Sequence, residues 1–138
     1  MWWEKGLFFS CLGCGRCCRG EPGAIFFTPS EEDRIVRFLS LSPGEFRRRF
    51  TTSRWEAPSL SEKKNGECIL YDAASGRCSI YPVRPLQCSL FPFWPSLLKS
   101  GERWNSAARN CPGMNSGAWY SPGKIRDLLG LNPFPDLL

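Results

Sequence analysis

The chain has 138 residues, with eight cysteines, no histidine and a formal net charge of +5. This length and a hydrophobic content of 42% predict one folded domain and argue against intrinsic disorder. Because imidazole is missing, histidine-based acid–base catalysis, Ser-His-Asp and Cys-His nucleophiles and histidine-containing zinc sites are excluded, which leaves thiol chemistry.

The N-terminal sequence lacks the pattern of a secretory signal. Residues 7–9 form the only apolar run before Ser10 and Cys11, and this run is too short for the apolar core of a signal peptide. No segment approaches the roughly 20 apolar residues that cross a bilayer, so we expect no membrane span. The expected compartment is the cytoplasm, where clustered cysteines are more often metal ligands or redox groups than disulfides.

The first cysteine group is a glycine-rich stretch that predicts a chelating loop. Two-residue gaps separate Cys11, Cys14 and Cys17, and a glycine lies in each gap. Glycine permits the tight turns that direct several sulfurs at one metal, so these cysteines form a candidate three-ligand set. Cys18 follows Cys17 directly, and the side chains of adjacent residues point in different directions. Cys18 is therefore predicted to serve a second site, or the site is polynuclear.

Two helices are predicted in succession after this loop. Residues 28–39 begin with a capping pattern, for which Ser30 is the candidate N-cap, and continue with apolar residues at helical spacing. A short second helix is also predicted, because Ser42 and Glu45 form a capping-box pattern with Pro43 at the first helical position, and this pattern leads into residues 46–50.

Turn signals then predict two short strands. Asn65-Gly66 precedes residues 68–72, and Ser75-Gly76 precedes residues 78–81. Closely spaced prolines leave room for at most a short helix between residues 84 and 91.

The last third of the chain predicts a hairpin around residues 97–104, a turn at Cys111-Pro112-Gly113 and a capped helix over residues 121–130 that ends at a glycine. The Pro-rich tail, residues 131–138, is expected to be loose. The predicted fold class is therefore α+β: a small, loop-rich single domain over residues 1–138, with a few short helices and short strands organised around a cysteine cluster.

Four further cysteines are single and widely spaced: Cys68, Cys78, Cys88 and Cys111. Each lies beside a turn signal. Because one loop of the CxxC type cannot fill a metal's coordination shell alone, these thiols are the expected complement, and metal binding would contribute to folding. The alternative is that they are small buried apolar side chains. All-thiolate ligation suits two four-thiolate zinc sites or one or two iron–sulfur clusters, and the spacing does not choose between them.

A longer pattern connects these cysteines. It runs from Cys11-x-x-Cys14-Gly15-x-Cys17-Cys18 through Gly76-x-Cys78-Ser79-Ile80-Tyr81-x-x-Arg84-Pro85-x-x-Cys88-x-x-Phe91-Pro92 to Cys111-Pro112-Gly113. Over about residues 8–130 the chain resembles the YkgJ-type cysteine-cluster family, which is described as a zinc- or iron-chelating domain and is also found in flagellin lysine N-methylases. The resemblance implies chelation of zinc or an iron–sulfur cluster, such as a 4Fe–4S cluster, by all eight cysteines. It implies no particular reaction, and no catalytic residue is identified.

Three hypotheses follow from these observations. The first is a cytoplasmic metal-binding protein that acts as a structural, electron-transfer or metal-handling accessory, with metal ions and a protein as its partners. The second is a cluster-dependent enzyme, or a subunit of one, that modifies a protein or a small molecule. The third is a nucleic-acid-binding zinc module, for which Arg47-Arg48-Arg49 is the candidate contact. A solvated helix face is the favoured interpretation of this run, and eight thiolates would offset the basic excess, so we favour the first hypothesis.

Overall fold

The structure is a computed structural model that describes residues 1–12 and 24–134. The helices of this part are α1 (Pro29–Leu39), α2 (Pro43–Phe50), α3 (Leu86–Leu90), α4 (Pro95–Leu98), α5 (Gly101–Ala108) and α6 (Pro122–Gly130). The strands are β1 (Leu7–Phe9), β2 (Ile25–Phe26), β3 (Thr51–Arg54), β4 (Ala57–Leu60), β5 (Tyr71–Asp72), β6 (Arg77–Cys78) and β7 (Ala118–Tyr120). Short antiparallel strands combined with separate helices confirm the predicted α+β class.

The described residues pack into two compact units. The terminal unit combines residues 1–12 with residues 90–134, and the central unit consists of residues 24–89. Each unit has a core of buried apolar side chains of its own.

The central unit is built on a three-stranded antiparallel sheet in which β4 lies between β2 and β3. Ile25 of β2 and Thr51 of β3 are both paired with Leu60 of β4. Helices α1 and α2 pack against each other and add their apolar residues to the core of this unit. The buried residues of this core are Phe27, Ile35, Val36, Phe46, Leu60, Leu70 and Ile80.

Helix α1 is capped two residues earlier than predicted. The Thr28 hydroxyl accepts a hydrogen bond from the Glu31 N–H (3.2 Å), and the Glu31 carboxylate accepts one from the Thr28 N–H (2.7 Å). This reciprocal capping box places Pro29 in the first turn, where a missing N–H costs nothing. The prediction of Ser30 as the N-cap is therefore wrong, because a cap at Ser30 would leave Pro29 outside the helix and lose the reciprocal pair.

Helix α2 begins as predicted. The Ser42 hydroxyl accepts a hydrogen bond from the Glu45 N–H (3.2 Å), and Pro43 occupies the first turn. The helix is only eight residues long, and Phe46 is its buried side chain.

Strands β3 and β4 form a hairpin that was not predicted from the sequence. The two residues between them, Trp55 and Glu56, have φ angles of 48° and 64°. Glycine and asparagine normally occupy such left-handed positions in hairpin turns, so Trp-Glu gives no turn signal. The Trp55 ring lies 6.2 Å from the Phe26 ring, centroid to centroid.

The predicted hairpin in the second half of the central unit is confirmed, although its strands are shorter than expected. Strands β5 and β6 pair Tyr71 with Cys78 and Asp72 with Arg77. Gly76, in the connecting turn, has a φ of 70°, a conformation that glycine adopts at little cost.

The terminal unit contains a two-stranded antiparallel sheet of β1 and β7, which are far apart in the sequence. Leu7 and Phe9 point into the core, whereas Phe8 and Trp119, which are paired across the strands, are exposed on the opposite face. The buried residues of this core are Trp3, Leu7, Phe9, Phe93, Leu98, Trp104, Met114 and Ile125.

Helices α4 and α5 occupy the segment for which a hairpin is predicted. The Ser100 hydroxyl accepts a hydrogen bond from the Arg103 N–H (3.2 Å) and so caps α5. Trp104 on α5 is 1% exposed and lies 5.7 Å from the Phe93 ring. The hairpin prediction is wrong because Ser100 acts as a helix cap and Trp104 is buried on a helix face.

Helix α6 confirms the last predicted element. The Ser121 hydroxyl accepts a hydrogen bond from the Lys124 N–H (3.1 Å), Ile125 is fully buried, and the helix ends at Gly130 as expected. Residues 135–138 of the predicted loose tail lie outside the described residues. Along the described part of the chain, no helix combines the length and the apolar character needed to cross a bilayer.

Candidate metal centre

Three of the eight predicted ligands, Cys14, Cys17 and Cys18, lie outside the described residues, together with the glycines between them. The structure places the other five. Cys11 is exposed and belongs to the terminal unit, as does Cys111. The half-buried cysteines are Cys68, Cys78, Cys88 and Cys111.

In the terminal unit, the segments that carry Cys11 and Cys111 lie side by side. The Ser10 N–H donates to the carbonyl of Gly113 (3.1 Å), and the Met114 N–H donates to the carbonyl of Cys111 (3.1 Å), which closes the predicted turn. Cys11 and Cys111 therefore lie one and two residues, respectively, from the hydrogen bond between Ser10 and Gly113.

Two glycines make this close approach possible. An ideal Cβ added to Gly113 would lie 2.0 Å from the Ser10 carbonyl oxygen, and one added to Gly117 would lie 2.1 Å from the Ser10 hydroxyl oxygen. That hydroxyl oxygen also accepts a hydrogen bond from the Ala118 N–H (2.9 Å). Without side chains at these two positions, the strand that leads into Cys11 can lie directly against the Cys111 turn.

In the central unit, Tyr71 of strand β5 contacts the backbone of both Cys68 and Cys78. The Tyr71 N–H donates to the carbonyl of Cys68 (2.9 Å), and Tyr71 is paired with Cys78 in the ladder. Both cysteines pack at the edge of the central core.

A carboxylate that was not singled out in the sequence lies next to Cys68. Glu62 is paired with Cys68 in an isolated antiparallel bridge, so their side chains share a face. One carboxylate oxygen of Glu62 pairs with Arg54, and the other, Oε1, is buried without a hydrogen-bond partner among the described residues. Because zinc accepts carboxylate oxygen as well as thiolate, the donors at this position fit a metal.

Cys88 lies in helix α3, where its N–H donates to the carbonyl of Pro85 (3.0 Å). The preceding Gln87 is buried and hydrogen-bonded to residues 24–26, and Glu31 accepts the N–H of Leu86. Neither Gln87 nor Glu31 was identified as a site residue from the sequence, because a lone glutamine and a glutamate in a helix cap carry no signal of a long-range contact.

Two cations contact backbone carbonyls of the hairpin and of the turn before α3. The Lys63 ammonium donates to the carbonyl of Tyr71 (2.5 Å) and lies 3.9 Å from a Glu67 oxygen. The Arg84 guanidinium lies 4.0 Å from the centroid of the Tyr81 ring and donates to the Tyr81 carbonyl (2.9 Å). Both cations are thus held against backbone carbonyls of the central unit.

Within residues 1–12 and 24–134, no three cysteine, aspartate or glutamate side chains are close enough together to hold a metal ion. The described residues therefore do not by themselves form a complete coordination shell.

The arginine run of helix α2 has partners within the protein. Arg47 donates to both carboxylate oxygens of Glu32 (2.8 and 2.5 Å), and this hydrogen bonding raises the pKa of Arg47 above its ordinary value. Arg49 lies 3.8 Å from Glu45 and 4.9 Å from the centroid of the Phe50 ring. Arg47 and Arg49 therefore each pair with a carboxylate of their own unit.

A comparison with known protein families gives a match over most of the chain. The model of a family named CxxCxxCC, described as a putative zinc- or iron-chelating domain, matches residues 10–112. That interval contains all eight cysteines. No solved structure matches the chain.

Proposed function

The chain belongs to the CxxCxxCC family of zinc- or iron-chelating domains, and on this premise we propose that its cysteines hold zinc or an iron–sulfur cluster. The proposed ligands are Cys11, Cys14, Cys17, Cys18, Cys68, Cys78, Cys88 and Cys111. The proposed role is that of a cytoplasmic structural, electron-transfer or metal-handling accessory. The observation that carries the proposal is the family match over residues 10–112, which contains every cysteine of the chain.

The donor chemistry supports this proposal. Sets of four thiolates are typical of zinc sites and of iron–sulfur clusters, and the chain has no histidine to favour other metals. When bound, zinc would cross-link the loops that carry its ligands, and an iron–sulfur cluster would add the capacity to accept and donate one electron.

The positions of the described cysteines give independent support. Cys68 and Cys78 lie at the edge of the central core, and Cys111 lies at the edge of the terminal core. A half-buried thiol at the edge of a core can reach a metal while the backbone behind it stays ordered. The proposal requires the thiols of Cys14, Cys17 and Cys18 to complete the coordination.

Purification without oxygen, followed by elemental analysis and visible absorption spectroscopy, tests the proposal. We expect at least one equivalent of zinc or iron per chain, and a brown chromophore with acid-labile sulfide if the group is an iron–sulfur cluster. Less than one equivalent of iron and zinc combined, together with eight titratable thiols in the folded protein, would refute the proposal.

A single substitution tests the ligand assignment. Replacement of Cys78 by serine (Cys78→Ser) should lower the bound metal per chain, because a hydroxyl is a much poorer ligand for zinc and iron than a thiolate. Ser79→Ala is the matched control, since Ser79 is the exposed neighbour of Cys78. Equal metal content in the two variants would remove Cys78 from the ligand set.

A further inference from the structure

Glu62 carries a carboxylate oxygen that is buried and has no hydrogen-bond partner. Its Oε2 pairs with Arg54, whereas its Oε1 is buried and accepts no hydrogen bond from any residue that the structure describes. A buried polar atom in this condition is costly and rare in native structures, because it loses its hydration and gains no replacement. One lone-pair-bearing oxygen of Glu62 is therefore open to a further ligand.

A second ion pair in the same unit shows how an arginine can use both oxygens of a carboxylate. Arg47 donates from Nε to Oε1 of Glu32 (2.8 Å) and from Nη2 to Oε2 of Glu32 (2.5 Å). Such two-point pairing is frequent between arginine and a carboxylate. Arg54 contacts only Oε2 of Glu62, so the ion pair accounts for one oxygen of Glu62 and not for the other.

The backbone places Glu62 and Cys68 side by side. Backbone hydrogen bonds join residues 69 and 61 (2.9 Å) and residues 63 and 67 (2.7 Å), and the bridge between Glu62 and Cys68 lies between them. In an antiparallel pair enclosed in this way, the two side chains project from one face and their Cβ atoms lie about 4.5–5.5 Å apart. The carboxylate of Glu62 and the thiol of Cys68 are therefore neighbours on one face of the bridge.

We propose that Oε1 of Glu62 is an oxygen ligand of the metal ion that Cys68 binds, and that this ion is a single Zn²⁺. Zinc binds carboxylate oxygen at about 2.0–2.2 Å and thiolate at about 2.3 Å, distances that donors on neighbouring Cβ atoms can span. Iron–sulfur clusters are instead held by thiolates and, in some centres, imidazoles. The inference rests on the proposed function, and it selects one zinc ion at Cys68 from the alternatives left open there.

Two substitutions separate the oxygen donor from the ion pair. The full chain is titrated with Co²⁺ under reducing conditions, and competition by Zn²⁺ gives the affinity. Glu62→Gln removes the charged donor and should weaken Zn²⁺ binding by about 10-fold or more, at least as much as the loss of a group that only orients a ligand. Arg54→Gln breaks the same ion pair but keeps the carboxylate, so it should weaken binding much less. Equal losses in the two variants would make Glu62 a structural partner of Arg54 and overturn the inference.

A thiol in place of the carboxylate gives a signal that a structural role would not produce. Glu62→Cys should increase the thiolate-to-cobalt charge-transfer absorption, because position 62 would then supply one more thiolate to the ion. Glu67→Cys is the matched control, since residue 67 directly precedes Cys68 and successive side chains of an extended segment point to opposite faces. Its spectrum should equal that of the wild type. Unchanged absorption in Glu62→Cys would overturn the inference, and this variant decides if Glu62→Gln does not fold.

The metal content of the wild-type protein separates failure of this inference from failure of the proposed function. A wild-type protein that is isolated with an iron–sulfur cluster and binds neither Co²⁺ nor Zn²⁺ would overturn the role of Glu62 and leave the proposed function intact. A wild-type protein that holds neither iron nor zinc and binds no Co²⁺ would overturn the proposed function itself.

Discussion

Gly113 lies where two segments of backbone meet in the terminal unit. Its carbonyl accepts the Ser10 N–H, and an ideal Cβ at this position would lie 2.0 Å from the Ser10 carbonyl oxygen. The glycine is needed for its lack of a side chain, since any other residue would push the Cys11 segment away from the Cys111 turn.

Gly113→Ala should lower the free energy of unfolding by about 1–3 kcal/mol, the usual cost of forcing an extra carbon into a closely packed site. Urea unfolding followed by tryptophan fluorescence measures this difference. Gly130→Ala is the control, because an added Cβ there meets nothing within 4 Å, and its stability should match or slightly exceed that of the wild type. Equal stability of the two variants would contradict the close contact.

At the scale of secondary structure, helix α1 has two hydroxyl groups near its start that could cap it, and one of them does. Thr28 and Ser30 both precede the apolar part of the helix, and their hydroxyl groups lie 3.2 Å apart. Only Thr28 is three residues before a glutamate whose carboxylate returns to the capping residue's own N–H, at 2.7 Å. The reciprocal pair therefore decides where the helix begins.

Thr28→Ala should destabilise the protein by about 1 kcal/mol, the typical cost of losing an N-cap hydroxyl. Ser30→Ala should change the stability by less than about 0.5 kcal/mol, as expected for an exposed residue of a first turn. Thermal or urea unfolding of both variants under the same conditions measures these effects. The reverse order would restore Ser30 as the cap.

The elements that were predicted correctly are those with local signals. Helices α2 and α6 are capped by Ser42 and Ser121, as their capping patterns predict, and a glycine turn marks the β5–β6 hairpin. The β3–β4 hairpin was missed because its turn consists of Trp55 and Glu56, which are unusual at positive φ. The residues on either side of such a turn are held in place by neighbouring strands and helices. A short stretch of sequence does not show which strands and helices these are.

At the scale of the whole molecule, the five described cysteines are distributed over both units, and the described part of the chain alone does not assemble three metal donors. If thiols from separate segments bind one metal, the free energy of binding becomes free energy of folding. The eight thiolates would also carry negative charge that the metal and the net charge of +5 offset.

Stability should therefore depend on the concentration of free metal. In Zn²⁺ buffers, with free Zn²⁺ at 100 times the dissociation constant, the free energy of unfolding should rise by about 2.7 kcal/mol for each independent site. Urea midpoints measured across a series of free Zn²⁺ concentrations test this dependence. Mg²⁺, which prefers oxygen ligands, is the control and should leave the midpoint unchanged. A midpoint that does not respond to Zn²⁺ would argue against metal-coupled folding.

The sequence by itself determined the α+β class, the caps of α2 and α6, the glycine turn of the β5–β6 hairpin and the cysteine pattern of the family, because each depends on neighbouring residues or on composition. The tertiary structure decided which distant segments meet. It pairs β1 with β7, lays Ser10 against Gly113 and joins Gln87 to Ala24 and Phe26. These contacts depend on how whole elements pack and on which buried polar groups find partners. They join residues more than 60 positions apart, so no local sequence pattern predicts them.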